Sequence, residues 1–243
     1  MGRPRDRGAV EGRAFYHRHD RRAAARSCLK PGERSANDRV LLIATRSEDK
    51  VREIVPLLRH LPVRILSLSD AGIPLTPAEE SIERFDTFEE NAAAKARYFF
   101  IASDGMPTVA DDSGLTVDAL EGAPGVHSKR WANRPELEGT ALDEANNLHL
   151  LEALQGSANR RARYVCVAAF ADAATTIAAR GETTGEITPA ARGSAGFGYD
   201  PYFLSDDLGC TFGEAAPAEK SRVSHRGRAF RALAKELCAV FSD

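Results

Sequence analysis

The sequence predicts an α/β fold with a mixed central β-sheet flanked by helices, and three observations lead there. A continuous apolar run, Val40 to Thr45, reads as a strand buried on both faces, with a polar turn and a helical pattern after it. Tyr164 to Phe170 and Thr175 to Thr183 read as an antiparallel pair joined by a short turn around Asp172. Strands and helices mix without strict βαβ alternation, so neither an all-parallel nor an all-antiparallel sheet fits.

The chain has 243 residues, a formal net charge of −2 and 43% hydrophobic residues, an ordinary globular balance with no call for a membrane or nucleic-acid partner of the whole molecule. No apolar run approaches the roughly 18 to 20 residues needed to cross a bilayer. Cys28, Cys166, Cys210 and Cys238 are scattered, without zinc-ligand spacing, which suits free thiols in a reducing cytoplasm. Residues 1–38 are arginine-rich and poor in large apolar residues; they read as a disordered arm, with the folded domain over residues 39–243. A nucleic-acid-binding arm and a targeting peptide are the other readings of that segment, and Asp6, Glu11 and Asp20 count against targeting.

After the first strand, Ser47 is placed to cap a helix whose apolar face carries Val51, Ile54, Val55 and Leu58, and Pro56 should kink that helix or end it early. A strand, a polar turn and a helix N-terminus together suit a phosphate, and Lys50 adds a full charge. Val63 to Leu68 reads as a second strand, followed by an acidic loop with Glu79, Glu80 and Glu83. Thr87 and Glu90 form a capping box for an alanine-rich helix. Phe88, Ala92, Lys95, Ala96 and Phe99 share one face of it, so Lys95 either snorkels to solvent or points into an anionic site.

Val109-Ala110-Asp111-Asp112-Ser113-Gly114-Leu115 is the stretch that organises the rest. Apolar residues lead into two adjacent carboxylates at what reads as a tight exit turn, suited to a metal or simply to capping the turn. Thr140 to Leu154 reads as a helix capped by Thr140, with Leu148, Leu151 and Leu154 apolar. In Gly196-Phe197-Gly198-Tyr199-Asp200-Pro201 the glycines allow close approach to a ligand, and Phe197 and Tyr199 offer flat faces for a base, unless the stretch simply plugs the core. Lys220 and Ser224-His225-Arg226-Gly227-Arg228 precede a last amphipathic helix; such a basic helix start is either solvated or faces an anion. Four segments thus supply different parts of one site: cations for a polyphosphate, oxygen ligands for a hard divalent ion and aromatic faces for a base, which together imply a nucleotide with Mg²⁺.

These motifs, in order, resemble the inosine triphosphate pyrophosphatase family: Ala44-Thr45 with Lys50, Thr87 to Ala92 with Lys95-Ala96, Ala110 to Leu115, Gly122 to Val126, Gly196 to Pro201, and Glu219-Lys220 with Ser224 to Gly227. The resemblance runs from about Val40 to the C-terminus. It implies two lobes around a nucleotide-binding cleft, a homodimer, and Mg²⁺-dependent hydrolysis of ITP, dITP and XTP to the monophosphate and pyrophosphate. It makes Asp112 the general base and a metal ligand with Asp111 beside it, and Glu80 or Glu83 the further metal carboxylate. Thr45, Arg46, Ser47, Glu48, Asp49, Lys50, Lys95 and Ser113 become contacts to the nucleotide or its phosphates, as do Phe197, Gly198, Tyr199, Asp200, Lys220, His225 and Arg226. The family's usual Thr-Gly-Asn is Thr45-Arg46-Ser47 here. A pyrophosphatase for modified or pyrimidine nucleotides is the nearest alternative, and a nucleic-acid-binding module the alternative from another class.

Overall fold

The apolar run at Val40 becomes the second strand of a six-stranded sheet. The computed structural model describes residues 39–242, so the arm predicted for residues 1–38 lies outside the described residues. The strands are β1 (Val40–Ile43), β2 (Arg64–Ser67), β3 (Thr108–Val117), β4 (Arg161–Ala171), β5 (Thr176–Ile187) and β6 (Phe203–Ser205). The helices are α1 (Glu48–Leu58), α2 (Phe88–Ala102), α3 (Gly139–Ala153), α4 (Pro217–Val223) and α5 (His225–Ser242). Spatial order is β2-β1-β3-β4-β5-β6; β1 pairs in parallel with β2 and β3, and every later pairing is antiparallel. The mixed sheet is as the sequence predicts. No helix among the described residues is long and apolar enough to cross a membrane.

Alternation along the strands divides the interior. Leu41, Ile43, Val109 and Phe170 face α1 and α5, where Phe230, Leu233 and Leu237 are buried. Leu42, Ala110, Val165 and Val167 face α2 and its Phe88, Ala92, Ala96 and Phe99. The far ends of the long strands enclose a third cluster with α3, containing Leu115, Leu150, Tyr164, Tyr199 and Phe212. A fully buried leucine or phenylalanine contributes about 1.5–3 kcal/mol, so these clusters fix α1, α2 and α5 against the strands that carry the polar motifs. Close approach finishes the placement: a Cβ on Gly181 would meet His225 O at 2.3 Å and Ala229 N at 2.4 Å, so only glycine lets the start of α5 rest on β5.

Three expectations are corrected. Asp111 and Asp112 do not lie on an exit turn but in the middle of β3, which runs on to Val117. Pro56 does not stop α1, which continues to Leu58; it lies in the last turn, so few residues remain beyond the proline to be disturbed. The cap of α3 falls at Glu138 without a side-chain bond, and Leu148 is 60% exposed while Leu150 and Leu154 are buried. β6 and the break between α4 and α5 at Ser224 have no counterpart in the sequence reading.

Candidate active site

β1 ends at Ile43 and pairs with β3 only as far as Val109. Beyond that point β3 lies open to the loop of residues 44–47 and to the start of α1, and the two carboxylates stand there. Strand geometry sends successive side chains to opposite faces. Asp111 accordingly meets Lys50 of α1 and Arg226 of α5, and Asp112 meets Asn91 of α2.

Asp111 is fully buried. Its Oδ2 accepts from Lys50 Nζ at 3.0 Å, Arg226 Nε at 3.3 Å and Ser113 Oγ at 3.2 Å, with Cys166 Sγ at 3.9 Å; its Oδ1 has no partner. Burial alone would raise the pKa of this carboxyl, but Lys50, Arg226 and Lys95 together hold it far below the ordinary carboxylate range.

Asp112 Oδ2 accepts from Asn91 Nδ2 at 3.0 Å, and Oδ1 from Ser113 N at 2.9 Å. Burial, assisted by the nearby Glu83 charge, outweighs Lys95, Lys50 and Asn91, and pushes its carboxyl up to about 6. Asn91 is itself fixed, accepting from Phe85 N at 2.9 Å and donating to Phe85 O at 3.0 Å. Lys95 does not snorkel: it is 9% exposed, donates to Asp111 O at 2.7 Å and is ion-paired with Glu83. Burial works against its charge, and Glu83 and Asp111 more than restore it. Of the two glutamates left open by the sequence, Glu83 is therefore brought to the carboxylate pair, whereas Glu80 sits exposed on a 3-10 turn at Pro77–Ser81.

Ser47 caps α1 as predicted, accepting from Lys50 N at 3.3 Å, and Thr45 Oγ1 accepts from Ser47 N at 3.2 Å. Glu48 and Asp49 occupy the first turn, where both meet Arg52. Arg46 turns away from the carboxylates to the loop at residues 73–79, donating to Glu79, Ile73 O and Pro74 O.

The aromatic glycine loop meets the same cations from another side. Phe197 is half-buried, with Lys220 Nζ 5.1 Å and the Arg226 guanidinium 5.6 Å from its ring centre. Tyr199 does not offer a free face: it is 5% exposed in the third cluster, and its hydroxyl donates to Ser128 O at 2.8 Å. Both polar groups of Gly198 are held by α3, its N–H by Asp143 at 2.8 Å and its C=O by Asn147 at 3.0 Å. Asp200 accepts from Lys220 Nζ and from Phe197 N. Burial raises its pKa against the pull of Lys220.

His225 is buried and stacks on Tyr164 with ring centres 4.5 Å apart; its Nδ1 lacks a partner. Burial, with Arg226 and Lys220 alongside, holds its pKa well below the ordinary value, so the ring is neutral. Arg226 also donates to Ser113 Oγ at 2.8 Å.

Two residues escaped the sequence reading. Glu53 pairs with both Lys220, at 2.7 Å, and Arg226; lying three positions after Lys50, it shares that lysine's side of α1, which was the available signal. Lys129 is exposed at the surface, yet partial desolvation by the surrounding protein and then Lys50 lower its pKa, with Lys95 adding to the effect and Glu83 opposing it. It is thus a further cation in the field of the same groups. Only its place in the motif after Gly125 could have suggested it.

The order of these motifs has a match beyond this chain. The model of the Ham1 family matches residues 41–236. The chain belongs to the Ham1 family. Relatives from this group include the dITP/XTP pyrophosphatase of Syntrophobacter fumaroxidans, 46% identical over 202 residues that cover 83% of either chain. That of Burkholderia pseudomallei is 44% identical over 84% of this chain and 95% of its own. Among solved structures, the Ham1 protein of Staphylococcus aureus superposes with a TM-score of 0.71 at 31% identity, covering 83% of this chain and all of its own. The Coxiella burnetii HAM1 protein gives 0.70 at 33% identity, covering 83% and 99%. Every candidate residue described above falls inside the stretch matched by the Ham1 model.

Proposed function

We propose that this Ham1 protein hydrolyses deaminated purine nucleoside triphosphates, ITP, dITP and XTP, to the monophosphate and pyrophosphate, with Mg²⁺, and so clears them from the nucleotide pool. Family membership makes the chain a nucleoside triphosphate pyrophosphatase. The observation that carries the finer reading is the buried Asp112, its pKa lifted to about 6, beside Glu83 and within the field of Lys50 and Lys95.

The residues present fit the metal. Asp112 and Glu83 supply oxygen donors, while Asp111 Oδ1, on the other face of β3, is a buried acceptor without a partner. Among the described residues no group of three or more His, Cys, Asp or Glu side chains is arranged to hold a metal ion by itself, so most ligands would have to be water and substrate oxygens. Mg²⁺ suits such a set, because it keeps water and takes the remaining oxygens from substrate phosphates. When bound it would neutralise phosphate charge and acidify water. Asp112 and Glu83 would hold it, with Asp111 behind them.

The rest is positioning and proton movement. Water adds across the α–β phosphoanhydride; its proton passes to the Asp112 carboxylate, and the anhydride oxygen leaves with pyrophosphate. Asn91 and the Ser113 amide keep the Asp112 oxygens oriented. Lys50, Lys95, Lys129 and Lys220 meet the phosphate charge, with the N-terminus of α1 behind Thr45 and Ser47. The Phe197 ring takes the base, since Tyr199 is committed to the core. Hypoxanthine and xanthine carry a 6-oxo group where adenine has an amino donor, so a donor-lined edge near His225 and Arg226 would leave ATP with donors facing donors. The family resemblance adds a homodimer working in the cytoplasm.

A panel of ITP, dITP, XTP, GTP and ATP with Mg²⁺, scored for pyrophosphate, tests the reading. The 6-oxo purines other than GTP should lead. Release of orthophosphate, or preference for ATP, overturns it.

A further inference from the structure

We infer that Arg46 is a positioning residue that bolts the loop carrying Glu83 to the loop before α1, so that the second carboxylate stands in place before any ligand arrives. The inference rests on Glu83 acting as the metal carboxylate proposed above.

The contacts of Arg46 use its whole guanidinium. Nε donates to Glu79 Oε2 at 3.0 Å and Nη2 to Glu79 Oε1 at 2.7 Å, a two-pronged pairing that fixes direction as well as distance. Nη1 and Nη2 also reach Ile73 O and Pro74 O, each at 2.9 Å. The group lies 5.8 Å from the ring centre of Phe99 on α2. Glu79 is only 12% exposed at its side chain, and its Oε1 also accepts from Thr76 N at 3.1 Å, so the carboxylate ties the turn to itself as well as to Arg46.

The segment being held needs such a tie. Between β2 and α2 it contains no strand and no α-helix, only the turn at Pro77–Ser81. Its far end is fastened by Asn91, which grips Phe85 N and O while donating to Asp112. Its near end is fastened by Arg46. Glu83 lies between these two points, ion-paired with Lys95. Two anchors on either side of a carboxylate restrict where it can stand relative to Asp112, and a metal site pre-formed in this way binds without first ordering the loop.

The test uses the full chain. Hydrogen exchange over residues 73–85 is read without metal in Arg46→Ala, Arg46→Lys and wild type, and Mn²⁺ affinity is read by electron paramagnetic resonance without nucleotide. Exchange in this segment should rise roughly tenfold in both variants, since lysine cannot reproduce the planar fork. Mn²⁺ affinity should fall roughly fivefold to tenfold, the scale of losing charge-assisted bonds at a half-exposed site. Glu79→Gln, which keeps the side chain's shape, should move both readings the same way. Unchanged exchange in the folded variants overturns the inference, and so does faster exchange with unchanged Mn²⁺ affinity when Glu83→Gln does weaken the metal. Glu83→Gln binding Mn²⁺ like wild type would instead remove the metal assignment, a failure visible separately because exchange is read without metal.

Discussion

Asp111 and Asp112 leave β3 on opposite faces, one held by Lys50 and Arg226 and the other by Asn91. Neighbours in sequence thereby acquire opposite acid strengths. Asp111 is kept ionised by the cations around it, whereas Asp112 is left short of compensation and holds its proton up to about pH 6. A carboxylate held ionised and one held closer to neutrality thus occupy adjacent positions on one strand.

Asp112→Asn should abolish turnover and yet stabilise the metal-free fold at pH 7. The folded carboxyl binds its proton more tightly than the unfolded one, so it contributes stability at low pH that is lost as pH rises from 3.8 through about 6. Asparagine never takes on the charge, and the gain at pH 7 should be on the order of 2 kcal/mol. Urea unfolding of both proteins at pH 4 and pH 7 checks this. Equal stabilities at pH 7 would mean that the buried charge is compensated after all.

Glu53→Ala should act in the other direction. Its carboxyl is partly buried, which alone would raise its pKa, but Arg226 and Lys220 hold it below the ordinary range. The stability it contributes is therefore present above the unfolded pKa and is lost as pH falls through the lower folded one. Removing it leaves Lys220 with Asp200 and Arg226 with Asp111, so the loss should be about 1–3 kcal/mol, and a triphosphate should offset part of it by meeting the same cations. The thermal shift on adding ITP should consequently exceed that of wild type; an equal or smaller shift would detach Glu53 from the nucleotide site.

Lys129→Ala should raise KM for ITP several-fold, roughly 1 kcal/mol for one partly exposed cation, while changing kcat less. It should also flatten the dependence of KM on salt, because one fewer charge is screened. Steady-state kinetics at two ionic strengths decide it, and an unchanged KM removes Lys129 from the phosphate-binding set.

Local patterns carried the sheet and the helix faces. The apolar run at Val40, the Ser47 cap and the stripe from Phe88 to Phe99 depend on neighbours within a turn or two, and they appear where the sequence places them. Partners far apart were not readable. Arg46 finds Glu79 33 positions away, and Glu53 finds Lys220 and Arg226 at separations of 167 and 173, so their contacts exist only once the chain has folded. The turn expected at Asp112 failed for a related reason: Ser113-Gly114 resembles a chain reversal, but Gly114 is there because the segment at Gly125 and Ser128 presses on β3, 2.2 Å and 2.5 Å from where a Cβ would stand. Tyr199 misled likewise, since the third cluster that takes its ring is built from residues on several separate segments.

β3, β4 and β5 pass without interruption from the packing around α2 and α5 into the packing around α3. The floor beneath Asp112 is thus a hydrogen-bonded ribbon rather than a flexible joint. The carboxylates on β3 are therefore set by strand pairing along their whole surroundings, and not by the conformation of a connecting loop.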